Sequence, residues 1–440
     1  MYVIPYYNLY FYKKKVMNFI DELKWRGMIN DITPGLEKKL ELGVNSAYVG
    51  FDPTASSLHI GNLAPVMLLT HFQNCGHKPI LLLGGATAMI GDPSGKSSER
   101  NLLDPDQVKS NLIAIKKQLS MFLDFESKDN AAEFVNNLDW MKKMNFNTFL
   151  RDIGKYITVN YMLSKDSVKN RMETGISFTE FSYQLIQAYD FLYLLNNKNC
   201  SIQIGGSDQW GNITSGIELI RKKQNKESFA LTCPLLTKSD GSKFGKSEDG
   251  NVWLDPDRTS PYKFFQYWLN ISDEDAEKCI KFFSILNRET ILGIEKDHKQ
   301  NPHLRILQNE LAKEMTIRVH GKDSYLKVLE GSKILFGKNT KKELENISEK
   351  DFLMFFEGVP TFNISKDILN NKIEVLSLLT EESKVFNSKA ELRRLLSSNA
   401  ISLNKEKINT ERFVTINDLI NNKYLLFQKG KKNYIILKAE

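Results

Sequence analysis

The stretch Ala47-Tyr-Val-Gly-Phe-Asp-Pro-Thr-Ala-Ser-Ser-Leu-His-Ile-Gly-Asn62 opens a strand–helix–strand unit that decides the fold. Its first five residues, Ala47–Phe51, are predicted to form a short strand, and Thr54 or Ser57 is predicted to cap the helix that follows. The continuous apolar run Ile80–Leu83 then predicts a buried strand. Two strands joined by a helix in this order are typical of a parallel sheet, so we expect an α/β fold.

The composition is that of an ordinary globular protein. Its 440 residues are enough for two or three domains with buried cores. Hydrophobic residues make up 41% and charged residues 26%, and no apolar run reaches the roughly 18 residues that a membrane span needs. The four cysteines stand alone, without CxxC spacing or suitably spaced histidines. We therefore expect neither a metal site nor a disulfide framework, and a reducing cytoplasm fits this usage.

Positive charge is concentrated at the end of the chain. The formal net charge is +7, and residues 388–440 contain 11 Lys and Arg against 5 Asp and Glu. A solvated basic surface is the plain explanation of such a segment. Its concentration in one short region nevertheless favours a nucleic-acid partner.

The chain divides into five predicted segments. Residues 1–16 are rich in aromatic residues and precede a second methionine, Met17, so we interpret them as an extension or an upstream start, with an organellar transit peptide as the alternative. The remaining segments are an α/β domain (17–260) with a mainly helical insertion (104–175), an α-helical domain (261–335), a mixed segment with a linker (336–385) and a C-terminal module of helix and strands (386–440).

Two short motifs far apart in the sequence carry groups that suit phosphate. The first, His59–Asn62, is predicted at a helix N-terminus, where an imidazole and a carboxamide can donate to phosphate oxygens. The second, Lys243-Phe-Gly-Lys-Ser247, carries two ammonium groups on a loop rich in glycine. Taken singly, the first motif could be a capping turn and the second a basic hairpin. Together they predict a site that holds a nucleoside triphosphate from two sides.

A glycine-rich loop follows the strand Ile80–Leu83. Its end, Gly95-Lys96-Ser97, is similar to a P-loop, but that motif requires glycine at position 90, where Ile90 stands. A P-loop is therefore rejected. Asp92 in this loop is then a candidate partner for a cationic group such as a substrate ammonium, although an Asp-Pro turn is the plain alternative.

Two further segments carry polar side chains where a ligand is expected. Tyr183, Gln187 and Asp190 follow i, i+4, i+7 spacing on one face of a predicted helix in an otherwise apolar setting. Buried polar groups need partners, so a pocket for a small polar ligand explains the stripe, with a solvent-facing surface as the alternative. Asp208 and Gln209 follow the predicted strand Cys200–Ile204, at the end where open α/β sheets bind ligands.

With these residues in view, the sequence resembles the bacterial-type tyrosyl-tRNA synthetases, a family of class I aminoacyl-tRNA synthetases. The first motif is similar to the HIGH motif, with Asn62 where the second histidine stands, and the second motif is similar to KMSKS, with both lysines present. The resemblance runs from about residue 17 to the C-terminus. It implies a Rossmann-like catalytic domain, an insertion that supports homodimerisation, an α-helical domain and a C-terminal RNA-binding module.

The resemblance also implies roles for individual residues. Catalytic roles fall to His59, Asn62, Lys243, Lys246, Ser247 and Thr54. Tyrosine contacts fall to Tyr48, Asp92, Tyr183, Gln187, Asp190 and Gln209, with Tyr48 and Asp190 at the phenol oxygen. ATP contacts fall to Gly50, Asp52, Thr54, His59, Asn62, Lys96, Arg100, Gly206, Asp208, Lys243 and Lys246, and RNA contacts to Lys389, Arg393 and Arg394.

The reaction implied is the ATP-dependent attachment of L-tyrosine to tRNA(Tyr) through tyrosyl-adenylate, in the cytoplasm, with Mg²⁺ accompanying ATP. Three alternatives remain open. A tryptophanyl-type synthetase fits the motifs, but Asp190 and Tyr48 suit a phenol better than an indole. Another nucleotidyltransferase would not explain the basic C-terminal module. A catalytically idle RNA-binding protein would not explain why the polar residues of the site are intact, namely His59, Asp92, Asp190, Lys243 and Lys246.

Overall fold

The computed structural model describes residues 18–94, 102–172, 175–242, 244–247, 250–336, 344, 346–430 and 433–440. These residues form two compact units. The first contains the chain up to Asp255 together with Tyr267–Val319, and the second contains Pro256–Gln266 together with His320–Glu440. No helix among the described residues is long and apolar enough to cross a membrane. The predicted extension, residues 1–16, lies outside the described residues.

The first unit is built on a six-stranded sheet in the order β1-β6-β5-β2-β3-β4. All neighbouring pairs are parallel except β1 with β6, which confirms the predicted parallel α/β sheet. The chain runs outward from β2 through β3 to β4, and then returns to β5 on the other side of β2. This reversal makes a switch point between β2 and β5. The strands are β1 (Asp31–Ile32), β2 (Ser46–Phe51), β3 (Lys78–Leu83), β4 (Glu133–Asn136), β5 (Cys200–Gly206) and β6 (Phe229–Cys233).

Helices connect these strands and continue after them into the second unit, which contains Lys322–Phe336. A short antiparallel pair, β7 (Lys246–Ser247) with β8 (Gly250–Asn251), follows the second motif. The helices are α1 (Phe19–Arg26), α2 (Leu36–Glu41), α3 (Leu63–Asn74), α4 (Pro105–Leu119), α5 (Leu138–Met141), α6 (Phe146–Asp152), α7 (Val159–Leu163), α8 (Asp166–Met172), α9 (Phe178–Lys198), α10 (Trp210–Gln224), α11 (Pro261–Leu269), α12 (Asp273–Phe283), α13 (Arg288–Gln300), α14 (Ile306–His320) and α15 (Lys322–Phe336).

The helix after β2 begins later than the sequence predicted. Thr54 and Ser57 do not cap it, because a 3₁₀ turn at Ile60–Asn62 leads directly into α3. The Ser57 hydroxyl is instead buried, donating to the Leu58 carbonyl at 2.8 Å and accepting from the Gln118 amide at 2.9 Å. The first motif thus forms the start of this helix, which agrees with its predicted position at a helix N-terminus.

The insertion is mainly helical, but it also contributes a strand that the sequence did not reveal. Four half-buried residues form β4, and they pair in parallel with β3 from Ile80↔Glu133 to Leu83↔Asn136. A strand this short at a sheet edge shows too little alternation to be recognised from its sequence. The carboxyl end of β4 therefore joins those of β2, β3 and β5 at the same edge of the sheet.

The second unit contains a five-stranded sheet in the order β12-β11-β14-β15-β9, where β9 pairs in parallel with β15. A buried apolar cluster that includes Ile364 and Val375 continues into this module. The C-terminal module therefore begins at β9, earlier than the predicted residue 386. The elements are the helices Glu349–Phe355, Val375–Ser377 and Lys389–Ser397 and the strands β9 (Thr361–Ile364), β10 (Ile373–Glu374), β11 (Ile401–Leu403), β12 (Glu406–Lys407), β13 (Phe413–Val414), β14 (Tyr424–Lys429) and β15 (Asn433–Ala439).

Candidate active site

A cluster of polar side chains lies at the switch point of the sheet. Tyr48 on β2 pairs with Gln203 on β5 and with Ile80 on β3, so it stands at the centre of the sheet. The helix α9 carries Tyr183, Gln187 and Asp190, as predicted, and it packs against β5. Ser177 caps this helix by accepting from the Glu180 N–H at 3.2 Å.

Asp190 is a fully buried carboxylate within this cluster. Its Oδ1 accepts from the indole Nε1 of Trp140 at 2.7 Å, and its Oδ2 accepts from Nδ2 of Asn137 at 3.0 Å. Burial raises the pKa of Asp190 to about 7, while these two hydrogen bonds act in the opposite direction. A carboxyl poised in this range can accept a hydrogen bond from a substrate hydroxyl near neutral pH.

Several polar atoms on β2, β5 and α9 are buried without a hydrogen-bond partner among the described residues. They include the Tyr48 hydroxyl, Oε1 of Gln187 and Oε1 of Gln203. Burial, followed by the nearby charge of Asp190, raises the pKa of Tyr48 well above its ordinary value, so the phenol stays protonated. Unsatisfied buried polar groups cost about 1–3 kcal/mol each, and a polar ligand that pairs with them removes that cost.

A chain of hydrogen bonds connects Asp190 with Tyr183 on the same face of α9. Asn137 donates to the Thr87 hydroxyl at 3.0 Å, and Thr87 donates to Oδ1 of Asp52 at 2.5 Å. Tyr183 in turn donates to Oδ2 of Asp52 at 2.7 Å. Side chains from three strand ends and α9 are thereby held in one rigid network.

Glycine is required where the backbone of the first glycine-rich loop meets this network. A Cβ atom at Gly84 would lie 1.9 Å from Oδ1 of Asp52 and 2.4 Å from the Thr87 hydroxyl oxygen. The Gly84 N–H donates to the carbonyl of Phe51 at 2.9 Å, which ties the loop to the end of β2. The absence of a side chain at Gly84 thus makes room for the Asp52 carboxylate.

Asp92 lies at the centre of a second polar cluster. Its Oδ2 accepts from Nε2 of Gln209 at 2.7 Å, and its Oδ1 accepts from Nδ2 of Asn212 at 3.3 Å. Asn212 also donates to the Ser94 hydroxyl at 3.2 Å. Two residues that the sequence singled out separately, Asp92 and Gln209, are therefore in direct contact.

The polar ends of the strands leave several predicted residues open to solvent. Gly50 at the end of β2 and Thr54 beyond it are exposed, and so is Asp208 after β5. At Gly206 a Cβ atom would lie 2.6 Å from Oδ1 of Asp208, so glycine permits the close approach of that carboxylate. These residues lie at or just beyond the carboxyl ends of β2 and β5.

The first motif forms a compact turn. The His59 N–H donates to Oδ1 of Asn62 at 3.0 Å, and the Asn62 N–H donates to the His59 carbonyl at 2.8 Å. The Oδ1 atom of Asn62 is thus engaged within the turn, while its Nδ2 group carries two N–H donors. Asn62, which stands where the HIGH motif has its second histidine, therefore still offers hydrogen-bond donors at the start of the helix.

The second motif lies partly outside the described residues. Lys246 is exposed on β7, and Ser247 is described for its backbone alone. Lys243 falls outside the described residues, as do Lys96 and Arg100 of the first glycine-rich loop. Their predicted phosphate contacts stay predictions.

The site also contains residues that the sequence analysis missed. Asn137 bridges Asp190 and Thr87, Trp140 donates to Asp190, and Asn212 donates to both Asp92 and Ser94. The sequence signal that could have identified Trp140 is the presence of a large aromatic residue in an insertion rich in Lys and Asn. No local pattern marks Asn137, because its role depends on β4 bringing it to the switch point.

Family comparisons agree with this geometry. Residues 42–337 match the family model described as "tRNA synthetases class I (W and Y)", and residues 351–437 match the one described as "Tyrosine--tRNA ligase SYY-like C-terminal domain". The sheet, the switch-point site and the match over more than half of the chain define a class I tRNA synthetase.

Individual relatives narrow the family further. Proteins of Bacteroides thetaiotaomicron and Porphyromonas gingivalis, each named tyrosine–tRNA ligase, are 55% identical over 430 residues, which cover 96% of this chain and 100% of each relative. The chain belongs to the tyrosine–tRNA ligase family. A solved structure of a truncated Aspergillus nidulans mitochondrial tyrosyl-tRNA synthetase is 32% identical with a TM-score of 0.66, over 74% of this chain and 95% of that one.

Proposed function

We propose that this protein attaches L-tyrosine to tRNA(Tyr) in two steps. The tyrosine carboxylate attacks the α-phosphorus of ATP, which forms tyrosyl-adenylate and releases pyrophosphate. A ribose hydroxyl of the terminal adenosine of the tRNA then attacks the tyrosyl carbonyl carbon and AMP leaves. Neither step needs a covalent enzyme intermediate, so the protein acts by positioning and by stabilising charge.

The observation that carries this proposal is the buried pair of Asp190 and Tyr48 at the switch point. A substrate phenol can donate its hydrogen to the Asp190 carboxylate and accept one from the unsatisfied Tyr48 hydroxyl. Phenylalanine would leave both groups buried without this partner, which costs binding free energy. An indole N–H could donate to Asp190 but could not accept from Tyr48.

The other residues of the pocket fit the remaining groups of tyrosine. Asp92, Tyr183 and Gln187 are proposed to hold the ammonium group, for which the Asp92 carboxylate supplies the negative charge and Gln187 an unsatisfied acceptor. Gln209, which contacts Asp92, is proposed to lie near the substrate carboxylate and the α-phosphate.

ATP is proposed to bind along the open edge beside the first motif. His59, Asn62 and Thr54 would donate to its phosphates, and the ammonium groups of Lys243 and Lys246 would stabilise the charge that develops on pyrophosphate. Mg²⁺ would accompany the phosphates. Further ATP contacts are assigned to Gly50, Asp52, Lys96, Arg100, Gly206 and Asp208, and a supporting phosphate contact to Ser247.

The C-terminal module is proposed to bind tRNA(Tyr). Arg393 and Arg394 are exposed on the helix Lys389–Ser397, and Lys389 at its start forms an ion pair with Glu381 at 2.5 Å. Exposed guanidinium groups on one short helix suit contacts with the phosphate backbone. These contacts would add affinity for the tRNA without taking part in the activation step.

A second copy of the chain is proposed to cover part of the insertion. Large apolar side chains are exposed there, including Phe146, Leu150, Val159 and Met172. Exposed large apolar side chains are typical of interaction surfaces, and a homodimer is the proposed assembly. The proposed place of action is the cytoplasm.

Tyrosine-dependent exchange of pyrophosphate into ATP tests the activation step, and charging of tRNA(Tyr) tests the transfer step. Phenylalanine and tryptophan serve as controls, with Asp190→Ala alongside. Exchange with tyrosine alone, lost in the variant, supports the proposal. Exchange with tryptophan, or none with any amino acid, contradicts it.

A further inference from the structure

We infer that Tyr267 is a positioning residue for the activation step, because it holds the centre of the second motif against the backbone of the first motif. The residues that carry this inference are Phe244 and Gly245 of the second motif, Gly61 of the first motif, and Tyr267 on α11. The inference rests on the proposed function, because it assigns a role in the chemistry of ATP.

Phe244 anchors the second motif in an aromatic cluster. Its side chain is 7% exposed, and its ring stacks on Phe283 with centroids 5.5 Å apart. The rings of Tyr267 and Trp268 each lie 5.9 Å from it. Phe244 lies between the two lysines of the motif in sequence. Because its ring is buried in this cluster, the packing fixes the position of the middle of the motif.

Gly245 brings the two motifs into direct backbone contact. Its φ is +80°, and a Cβ atom there would lie 2.7 Å from the Gly61 nitrogen. A side chain would therefore be strained by the backbone conformation and would also collide with the first motif. Phe244 and Gly245 together set the distance between the motifs.

Both backbone groups of Gly245 are hydrogen-bonded in this arrangement. Its N–H donates to the Tyr267 hydroxyl at 2.9 Å, and its carbonyl accepts from the Val252 N–H at 2.9 Å. The Val252 carbonyl in turn accepts from the Ile60 N–H at 2.9 Å. A continuous path of hydrogen bonds thus runs from α11 through the second motif to the first.

The consequence concerns Lys246, which follows Gly245 directly. Its ammonium group can assist pyrophosphate departure only when the loop holds a fixed position relative to His59 and Asn62. Gly245 is buried, so removal of the Tyr267 hydroxyl leaves its N–H without an acceptor and weakens this position. The tyrosine pocket is built from other residues and should be unaffected.

The test compares Tyr267→Phe with Tyr262→Phe in the full-length protein. The second variant also removes one buried phenol hydroxyl, but its ring packs against Phe355 in the second unit. The measurements are kcat and the KM for ATP in pyrophosphate exchange, the Kd for tyrosine, and the melting temperature. Amide hydrogen exchange of Gly245 and Val252 reports the loop directly.

Tyr267→Phe should lower kcat of exchange by about tenfold or more. Its Kd for tyrosine should stay within twofold, and its melting temperature should fall no further than that of Tyr262→Phe. The amides of Gly245 and Val252 should exchange faster. A kcat within twofold of the wild type, or an equal loss of tyrosine affinity, would overturn the inference. A wild-type protein without exchange activity would instead overturn the proposed function together with this role.

Discussion

The indole N–H of Trp140 donates to Oδ1 of Asp190 at 2.7 Å, deep beneath the switch point of the sheet. This bond and the one from Asn137 stabilise the ionised carboxylate, whereas complete burial destabilises it. The result is a carboxyl whose pKa is about 7. Recognition of a phenol by Asp190 therefore depends on its ionisation. Both pH and mutation of its hydrogen-bond partners can change that ionisation.

The first prediction concerns the pH dependence of tyrosine use. The ionised form of Asp190 accepts the phenol hydrogen, and this form is populated above its pKa of about 7. The kcat/KM for tyrosine should therefore fall roughly tenfold between pH 8 and pH 6, in proportion to the ionised fraction. Initial rates of pyrophosphate exchange at low tyrosine measure it. A profile that is flat down to pH 5 would contradict the assignment.

The second prediction concerns Trp140→Phe. Loss of the indole N–H removes a hydrogen bond to the charged form of Asp190, so the pKa should rise further and the midpoint of the same pH profile should move upward. The ring of phenylalanine preserves packing against Tyr193, whose ring stacks on Trp140 at 4.3 Å. Tyr193→Phe is the control and should leave the midpoint unchanged. A midpoint that moves downward would be incompatible with this geometry.

The third prediction concerns Gly84→Ala. The new Cβ atom would lie 1.9 Å from Oδ1 of Asp52, so the carboxylate must move and its bonds to Thr87 and Tyr183 must break. Tyrosine affinity should drop by about 100-fold, with a lower melting temperature. Gly293→Ala is the matched control, because among the described residues its added Cβ meets no heavy atom within 4 Å beyond its chain neighbours and the backbone of its own helix, and it should leave affinity unchanged. Equal behaviour of the two variants would refute the role of the network.

The fourth prediction concerns Arg393→Ala and Arg394→Ala. Both should raise the KM for tRNA(Tyr) several-fold in the charging assay and leave pyrophosphate exchange unchanged, because the proposed phosphate contacts act only on RNA. The effect should shrink at high salt. Lys350→Ala, which removes another exposed charge in the same unit, serves as the control. Loss of exchange activity in either arginine variant would argue against a role confined to tRNA.

Local patterns in the sequence were sufficient to predict much of this architecture. The apolar run of β3 predicted its strand, and the spacing of Tyr183, Gln187 and Asp190 predicted their common face on α9. These features depend on periodicity within one element. The resemblance to a known family then added roles that no spacing alone could assign.

Long-range contacts account for what the sequence did not reveal. β4 is four residues long, and Asn137 and Trp140 reach Asp190 only because that strand joins β3. The pairing of β9 with β15 connects segments some 75 residues apart, so the module boundary was placed too late. The predicted cap at Thr54 or Ser57 was wrong because Ser57 bonds to Gln118, which is distant in sequence.

Binding of tyrosine and of phenylalanine, measured by titration calorimetry on the wild type and on Asp190→Asn, tests the central claim most directly. Tyrosine should bind the wild type about 100-fold more tightly than phenylalanine does, because phenylalanine leaves Asp190 and Tyr48 unpaired. The substitution should remove most of that preference. A wild-type protein that binds the two amino acids within a factor of three would contradict the assignment of Asp190 and Tyr48 to the phenol.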